Sequence, residues 1–219
     1  MDGNTAARVR SAGIGALALT AVTGGTAQAA TQPLSAHFKK RDILAGGRVP
    51  VTGRVLTHEA GRKVLLQAAS GHGWHTVART KSAKGGAFRT FFRPRSLGKF
   101  KLRVRLVGSV ASSASAKQVS AKRSRGLVRV YRPTSASWYG PGLLGGRTAC
   151  GGTLNATTLG VANRSLPCGT KVTFHYRGRT VTAKVIDRGP FVGGREWDLT
   201  PATKAKLGFG STGTVWSTA

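Results

Sequence analysis

Carboxylates are what this chain has least of. Six Asp and Glu residues stand against 35 Lys and Arg, a formal charge of +29 over 219 residues. Half of the six, Asp187, Glu196 and Asp198, fall within one short stretch near the C-terminus. In so basic a chain, that clustering marks the stretch as a candidate place for proton chemistry. Cysteine is nearly absent too, with only Cys150 and Cys168. No histidine lies near them in sequence, so a metal site would be short of ligands, and neither metal nor cofactor is expected. Long apolar runs are missing. The one at 14–22 is too short to span a bilayer, which argues against a membrane anchor there, and no later segment is apolar enough. The charge invites thoughts of nucleic acid, but no nucleic-acid motif accompanies it.

Residues 1–30 read as a signal peptide. Arg8 and Arg10 supply a positive start, the apolar run follows, and Ala27-Gln28-Ala29 is a small-x-small cleavage site. The expected product begins near Ala30 and is secreted. In an oxidising compartment two cysteines most simply pair. Closing a loop of this length contributes about 3 kcal/mol on the chain-entropy estimate.

Residues 31–108 read as short strands. Val49, Val51 and Val55 recur at strand spacing, and further apolar runs occupy 64–67, 74–78 and 88–92. Phe100-Lys101-Leu102-Arg103-Val104-Arg105-Leu106 alternates apolar with basic. Glycine and proline punctuate the runs, which suggests an antiparallel sandwich. The spacing G-x-F-x-x-x-F-x-P followed by G-x-F-x-L-R-V resembles bacterial immunoglobulin-like modules. Residues 109–130 are small, polar and then basic, the composition of a flexible linker. Within it, 127–131 is either the sandwich's last strand or the next domain's first. From there to 219 a second all-β unit is expected. Val172, Phe174 and Tyr176 share one face, Arg177-Gly178-Arg179 turns, and Val181, Ala183 and Val185 return. One short helix is signalled by Thr200 as N-cap, Pro201 at its first turn and Gly208 past its end.

The second unit resembles a known family. The residues that carry this are Ala136-Ser137-Trp138-Tyr139-Gly140-Pro141-Gly142, then Gly145-Gly146-Arg147-Thr148-Ala149, then Leu166-Pro167-Cys168-Gly169-Thr170. Val185-Ile186-Asp187-Arg188-Gly189-Pro190-Phe191, Arg195-Glu196-Trp197-Asp198-Leu199-Thr200 and Lys206-Leu207-Gly208 complete the set. In this order they resemble the rare lipoprotein A (RlpA)-like double-psi β-barrel family. The resemblance implies that this unit is a six-stranded double-psi β-barrel with one short helix, so that with the Ig-like sandwich read at 31–108 the expected chain is all-β. It also implies contact with peptidoglycan glycan and, in some members, its non-hydrolytic cleavage, hence a place at the cell wall.

A lytic transglycosylase needs one carboxyl group that first donates and then accepts a proton. Asp187, ending an apolar strand before a turn, is the candidate, matching the aspartate shared across related barrels. The competing reading is that it pairs with Arg188 or caps the turn. Asp198, two residues before the N-cap, suits a helix start, and Glu196 suits a salt bridge. Sugars stack on aromatic rings while their hydroxyls take hydrogen bonds. The expected substrate contacts are therefore Trp138, Tyr139, Asn163, Arg188, Trp197 and Asp198, while Trp216 is expected in the core. The chain also departs from the family. Gly152 stands where active relatives carry glutamate, Asn155 where they carry aspartate, and Asn163 where they carry histidine. Cys150 and Cys168 replace other family residues, and their disulfide would tie two site-forming loops together. Two readings follow: a lytic transglycosylase relying on Asp187, or a glycan-binding module without catalysis.

The basic residues concentrate in the first domain and linker: Lys39-Lys40-Arg41, Arg93, Arg95, Lys99, Lys101, Arg103 and Arg105. Either they solvate a sheet edge or they meet an anionic partner. Outside the cell the partners would be anionic wall polymers or lipid headgroups.

Overall fold

The alternation read at 100–106 is a buried and exposed face in the folded chain. Leu102, Val104 and Leu106 are buried while Lys101 and Arg105 are exposed, because successive strand residues point to opposite sides. The structure, a computed structural model, describes residues 34–107, 125–140 and 142–219. The expected signal peptide and linker residues 109–124 lie outside the described residues. Among these residues thirteen strands and one α-helix follow in order. They are β1 (Leu34–Phe38), β2 (Asp42–Leu44), β3 (Val49–Val55), β4 (Lys63–Ser70), β5 (Gly73–Lys81), β6 (Ala87–Phe92) and β7 (Gly98–Leu106). Then come β8 (Arg125–Trp138), β9 (Gly160–Ala162), β10 (Lys171–Tyr176), β11 (Arg179–Asp187), β12 (Trp197–Leu199), α1 (Pro201–Leu207) and β13 (Gly213–Ser217).

The first part has two sheets. β1, β3 and β6 form one; β5, β4, β7 and β8 run in that order in the other, with β2 added on β8. Both sheets contribute to one core: Leu34, Val49, Val51 and Phe92 from the first, Leu66, Leu102, Val104 and Val128 from the second. Gly126 lies so close to Phe38 that an added Cβ would stand 2.6 Å from its ring. Its lack of a side chain is therefore a packing requirement.

Six strands close the second part into a barrel. The order is β8, β13, β10, β11, β9, β12, and β12 pairs in parallel with β8 to shut the ring. Closure leaves no open sheet edge. Val161, Val172, Phe174, Val185, Trp197, Leu199 and Val215 fill the interior, with Trp197 meeting Phe174 edge-on at 5.1 Å. The hairpin and the helix match the sequence. α1 starts at Thr200, whose side chain accepts from the Thr203 amide, and ends on left-handed Gly208.

One boundary differs. Residues 125–130, expected at the end of a linker, are strand. They pair with β7, and the same strand continues to Trp138 inside the barrel. The stretch 127–131 belongs to β8, which pairs with β7 in one sheet and continues into the barrel.

Candidate active site

Asp187 ends β11 just past a bulge. Val185 pairs with Val161 and Asp187 with Ala162, so Ile186 is the extra residue. A bulge re-aims the side chain that follows it. Ala162 is also the register partner of Asp198 on β12, and Asp198 that of Ser137 on β8. Asp187, Ala162, Asp198 and Ser137 thus form one row across four adjacent strands. Two of the chain's few carboxylates share that row with one strand between them.

Each carboxylate is held. Asp187 accepts from the Ala149 amide at 2.8 Å and from the Arg188 amide at 2.8 Å on Oδ1, and from the Tyr139 hydroxyl at 3.1 Å on Oδ2. Asp198 accepts from the Ser137 hydroxyl at 2.6 Å. Among the described residues neither makes an ion pair. The Arg188 guanidinium turns away from Asp187. It donates to the carbonyls of Asn163 (3.1 Å) and Leu166 (2.9 Å), and it lies 3.2 Å from Cys168 Sγ. Asp187 is partly exposed. It is therefore neither locked to an arginine nor closed off from solvent.

Tyr139 is buried, and burial pushes its phenol above the ordinary value, with the Asp187 charge and hydrogen bond adding and Asp198 contributing further. It stays a hydroxyl at neutral pH. It can donate to an ionised carboxylate and accept from a protonated one.

Two loops meet at Asp187. The Cys150–Cys168 disulfide joins the segments at 148–153 and 163–170, with 5.6 Å between Cα atoms. The Cys150 amide donates to the Ile186 carbonyl, and the Asn163 amide donates to the Asp187 carbonyl. Beyond Tyr139 and Arg188 the chain carries Leu143, Leu144, Phe191 and Val192 in the open, Phe191 at 81% exposure.

Several expected contacts take other roles. Trp197 is 0% exposed and belongs to the barrel core, so it offers no face to a sugar. Alternation along β12 turns it inward and Asp198 outward. Tyr139, also expected to touch sugar, is buried and positions Asp187 instead. Asn163 is 6% exposed. Its carbonyl oxygen accepts from the amides of Ser165 and Leu166, and its amide group donates to the Glu196 carbonyl. It shapes the loop that Arg188 braces. Glu196 is in a two-pronged ion pair with Arg132. Trp138 is half-buried under Lys204, whose Nζ lies 3.9 Å from the ring centre. Sequence reasoning missed Ser137 and the Ala149 amide. Ser137 was findable, since it alternates with Trp138 and so shares a side with Tyr139.

The departures have local causes. Gly152 has φ +90°, a left-handed conformation that a glutamate would adopt only with strain. Asn155 accepts from the Thr157 amide and from the hydroxyls of Thr157 and Thr158, closing its own turn.

A closed six-stranded barrel with a row of two carboxylates at one end defines the class. Residues 132–216 match a family model described as lytic transglycolase, and the barrel is RlpA-like. A Synechocystis protein named a probable endolytic peptidoglycan transglycosylase RlpA is 48% identical over 80 residues, covering 36% of this chain and 25% of its own. The endolytic peptidoglycan transglycosylase RlpA of Campylobacter jejuni is 43% identical over 82 residues, 36% of this chain and 30% of its own. That of Pseudomonas aeruginosa is 40% identical over 90 residues, 40% and 26% respectively. The chain thus spans only about a quarter to a third of these relatives' length. Among the described residues no helix is long and apolar enough to cross a membrane.

Proposed function

We propose that this is a secreted, wall-associated lytic transglycosylase of peptidoglycan, with Asp187 as its acid and base. The observation that carries the reading is a partly exposed carboxylate, free of any cation among the described residues, in the segment that matches the family. Protonated Asp187 gives its proton to the glycosidic oxygen between N-acetylmuramic acid and N-acetylglucosamine. The bond to the muramyl C1 breaks, and the leaving sugar keeps the proton as a hydroxyl. Ionised Asp187 then takes the proton of the muramyl 6-hydroxyl as that oxygen closes on C1. The product is a 1,6-anhydro ring, no water is consumed, and Asp187 regains its proton. Tyr139 serves both states of the carboxyl group. Ser137 and Asp198 lie along the row where the strand would be held. Trp138 and Arg188 are proposed substrate contacts, Arg188 through the loop it braces.

The double-psi path of the barrel and the Ig-like assignment of the first part belong to the same reading. So do the domain limits, with the sandwich at 31–108 and the barrel from 131. The sandwich would bind anionic wall polymers through the outer face of its larger sheet. Lys99, Lys101, Arg103 and Arg105 alternate outward on β7, beside Arg125 and Arg129 on β8. The Arg103 guanidinium is pushed below its usual value by burial first, then by Arg105 and Arg125. Among the described residues, Arg129 is the only one of these six that pairs with an acid, Asp42. Wall binding should therefore weaken steeply with salt.

A second reading is a glycan-binding module without catalysis. It is favoured by Gly152 and by an Asn163 whose polar atoms are spent on the loop. Digestion of purified sacculi with the full chain decides between them. The expected result is release of anhydromuramyl products, abolished in Asp187→Asn. Retention on sacculi with no release by the unaltered chain would establish the binder.

A further inference from the structure

The barrel carries a second group of aromatic side chains at the far end of its hairpin. His175 on β10 and Trp216 on β13 are register partners. Their rings stack at 5.1 Å with 29° between planes. Tyr131 lies beneath both, at 5.7 Å and 6.2 Å. Trp216 was expected in the core, yet it is only half-buried, because its neighbours Val215 and Ser217 take the inward positions. With Tyr176, Arg177, Gly178 and Thr214 the His175–Trp216 pair lines a pocket of about 330 Å³. That lies within the range of small-ligand sites.

The turn supplies a further observation. Arg177 and Gly178 both have positive φ, 43° and 81°, the geometry of a tight hairpin turn that favours Asn-Gly. Arginine is a poor choice there for the backbone. Its guanidinium lies 5.2 Å from the Tyr176 ring centre, and among the described residues no acid pairs with it. A cation thus sits at a strained position beside half-buried aromatic rings.

We infer that this pocket is a remote subsite for an acidic sugar, one with a free carboxylate, on the same glycan strand that the proposed function assigns as substrate. An aromatic face takes the apolar side of a sugar ring, and a guanidinium takes a carboxylate with two parallel hydrogen bonds. β11 runs nine residues from the turn to Asp187. The subsite therefore lies roughly 25 Å from the candidate acid, at about 3.3 Å per residue. A polymer can engage both points and gain from the linkage, whereas a single sugar cannot.

The inference rests on the glycan reading, and the test separates the two. Full-length Asp187→Asn is titrated with peptide-free strands of alternating N-acetylglucosamine and N-acetylmuramic acid, and with chitohexaose as the neutral probe. The Trp216 indole resonance, assigned by its loss in Trp216→Phe, is followed by NMR. It should shift with the muramyl strands. Arg177→Asn should weaken those strands about tenfold, the size of one charge-assisted contact, and leave chitohexaose unaffected. Because asparagine suits the turn, Arg177→Asn should melt no lower than the parent, so weaker binding cannot be blamed on unfolding. A Trp216 signal unmoved by saturating strands, or undiminished affinity in Arg177→Asn, overturns the subsite. If sacculi are still cleaved by the unaltered chain in that case, the catalytic reading stands without it. A Trp216 shift without any cleavage supports the subsite and sinks the catalytic reading.

Discussion

Two phenols in this chain are buried against carboxylates. The Tyr139 hydroxyl donates to Asp187, and the Tyr131 hydroxyl donates to Asp42 at 2.6 Å. Burial first, and then the adjacent negative charge, pushes both above the ordinary phenol value. As pH rises the unfolded chain loses these protons near pH 10 while the folded chain keeps them. Their stabilisation is thus complete below about pH 10 and lost above it. Two such protons correspond to a fall of about 2.7 kcal/mol per pH unit. Denaturant midpoints measured between pH 9 and 11.5 should show that fall, and Tyr131→Phe with Tyr139→Phe should flatten it. An equal slope in the double variant would show that other groups carry the effect. This device was not legible in the sequence. Tyr139 stood in a motif that invited a sugar-facing role, and only the approach of β11 to the end of β8 shows what its hydroxyl meets. Trp197 is a different case. Setting Glu196 and Asp198 on one face of an extended segment already sets Trp197 on the other, so its burial was implied by the alternation itself.

At the scale of elements, features set by neighbours in sequence were legible, and features set by distant strands were not. The hairpin of β10 and β11 and the caps of α1 follow from local residues and match the structure. The bulge that aims Asp187 needs the register against β9, which no local pattern reports. Arg188 beside Asp187 suggested an ion pair; its side chain instead crosses to carbonyls of the 163–166 loop, a partner no spacing rule names. The disulfide lies between these cases: pairing followed from having two cysteines, and its place between two site-forming loops followed only from the family resemblance. It closes a loop with a sequence separation of 18, which corresponds to about 3 kcal/mol. Cys150→Ala with Cys168→Ala should lower the urea midpoint accordingly. On the transglycosylase reading, release of anhydromuramyl products from sacculi should fall even where the variant remains folded, because the Ala149 amide that holds Asp187 sits next to the bridge. Full activity in the folded variant would show that the Ala149 contact persists without the bridge.

For the whole molecule the decisive element is β8. It has 14 residues; Arg125 to Val130 pair with β7, and Arg132 to Ala136 pair with β13. Parallel strands flank both halves, β2 on the first and β12 on the second. Composition hid this, because small and basic residues up to Arg125 read as a linker and the strand begins inside that stretch. A strand shared by two cores transmits loss of one to the other. If the first part melts, Tyr131 loses Asp42 and β8 loses its partners on both sides of the first half, leaving its continuation frayed at the barrel's closing edge. The expected result is one cooperative transition for the two parts together, with tryptophan fluorescence and far-UV circular dichroism coinciding. Inserting Gly-Gly between Tyr131 and Arg132 leaves every side chain in place but breaks the continuity. It should split the melt into two steps, with the Trp74 signal following the first part and Trp197 the barrel. Two resolved steps in the parent chain would show that the shared strand does not couple the cores.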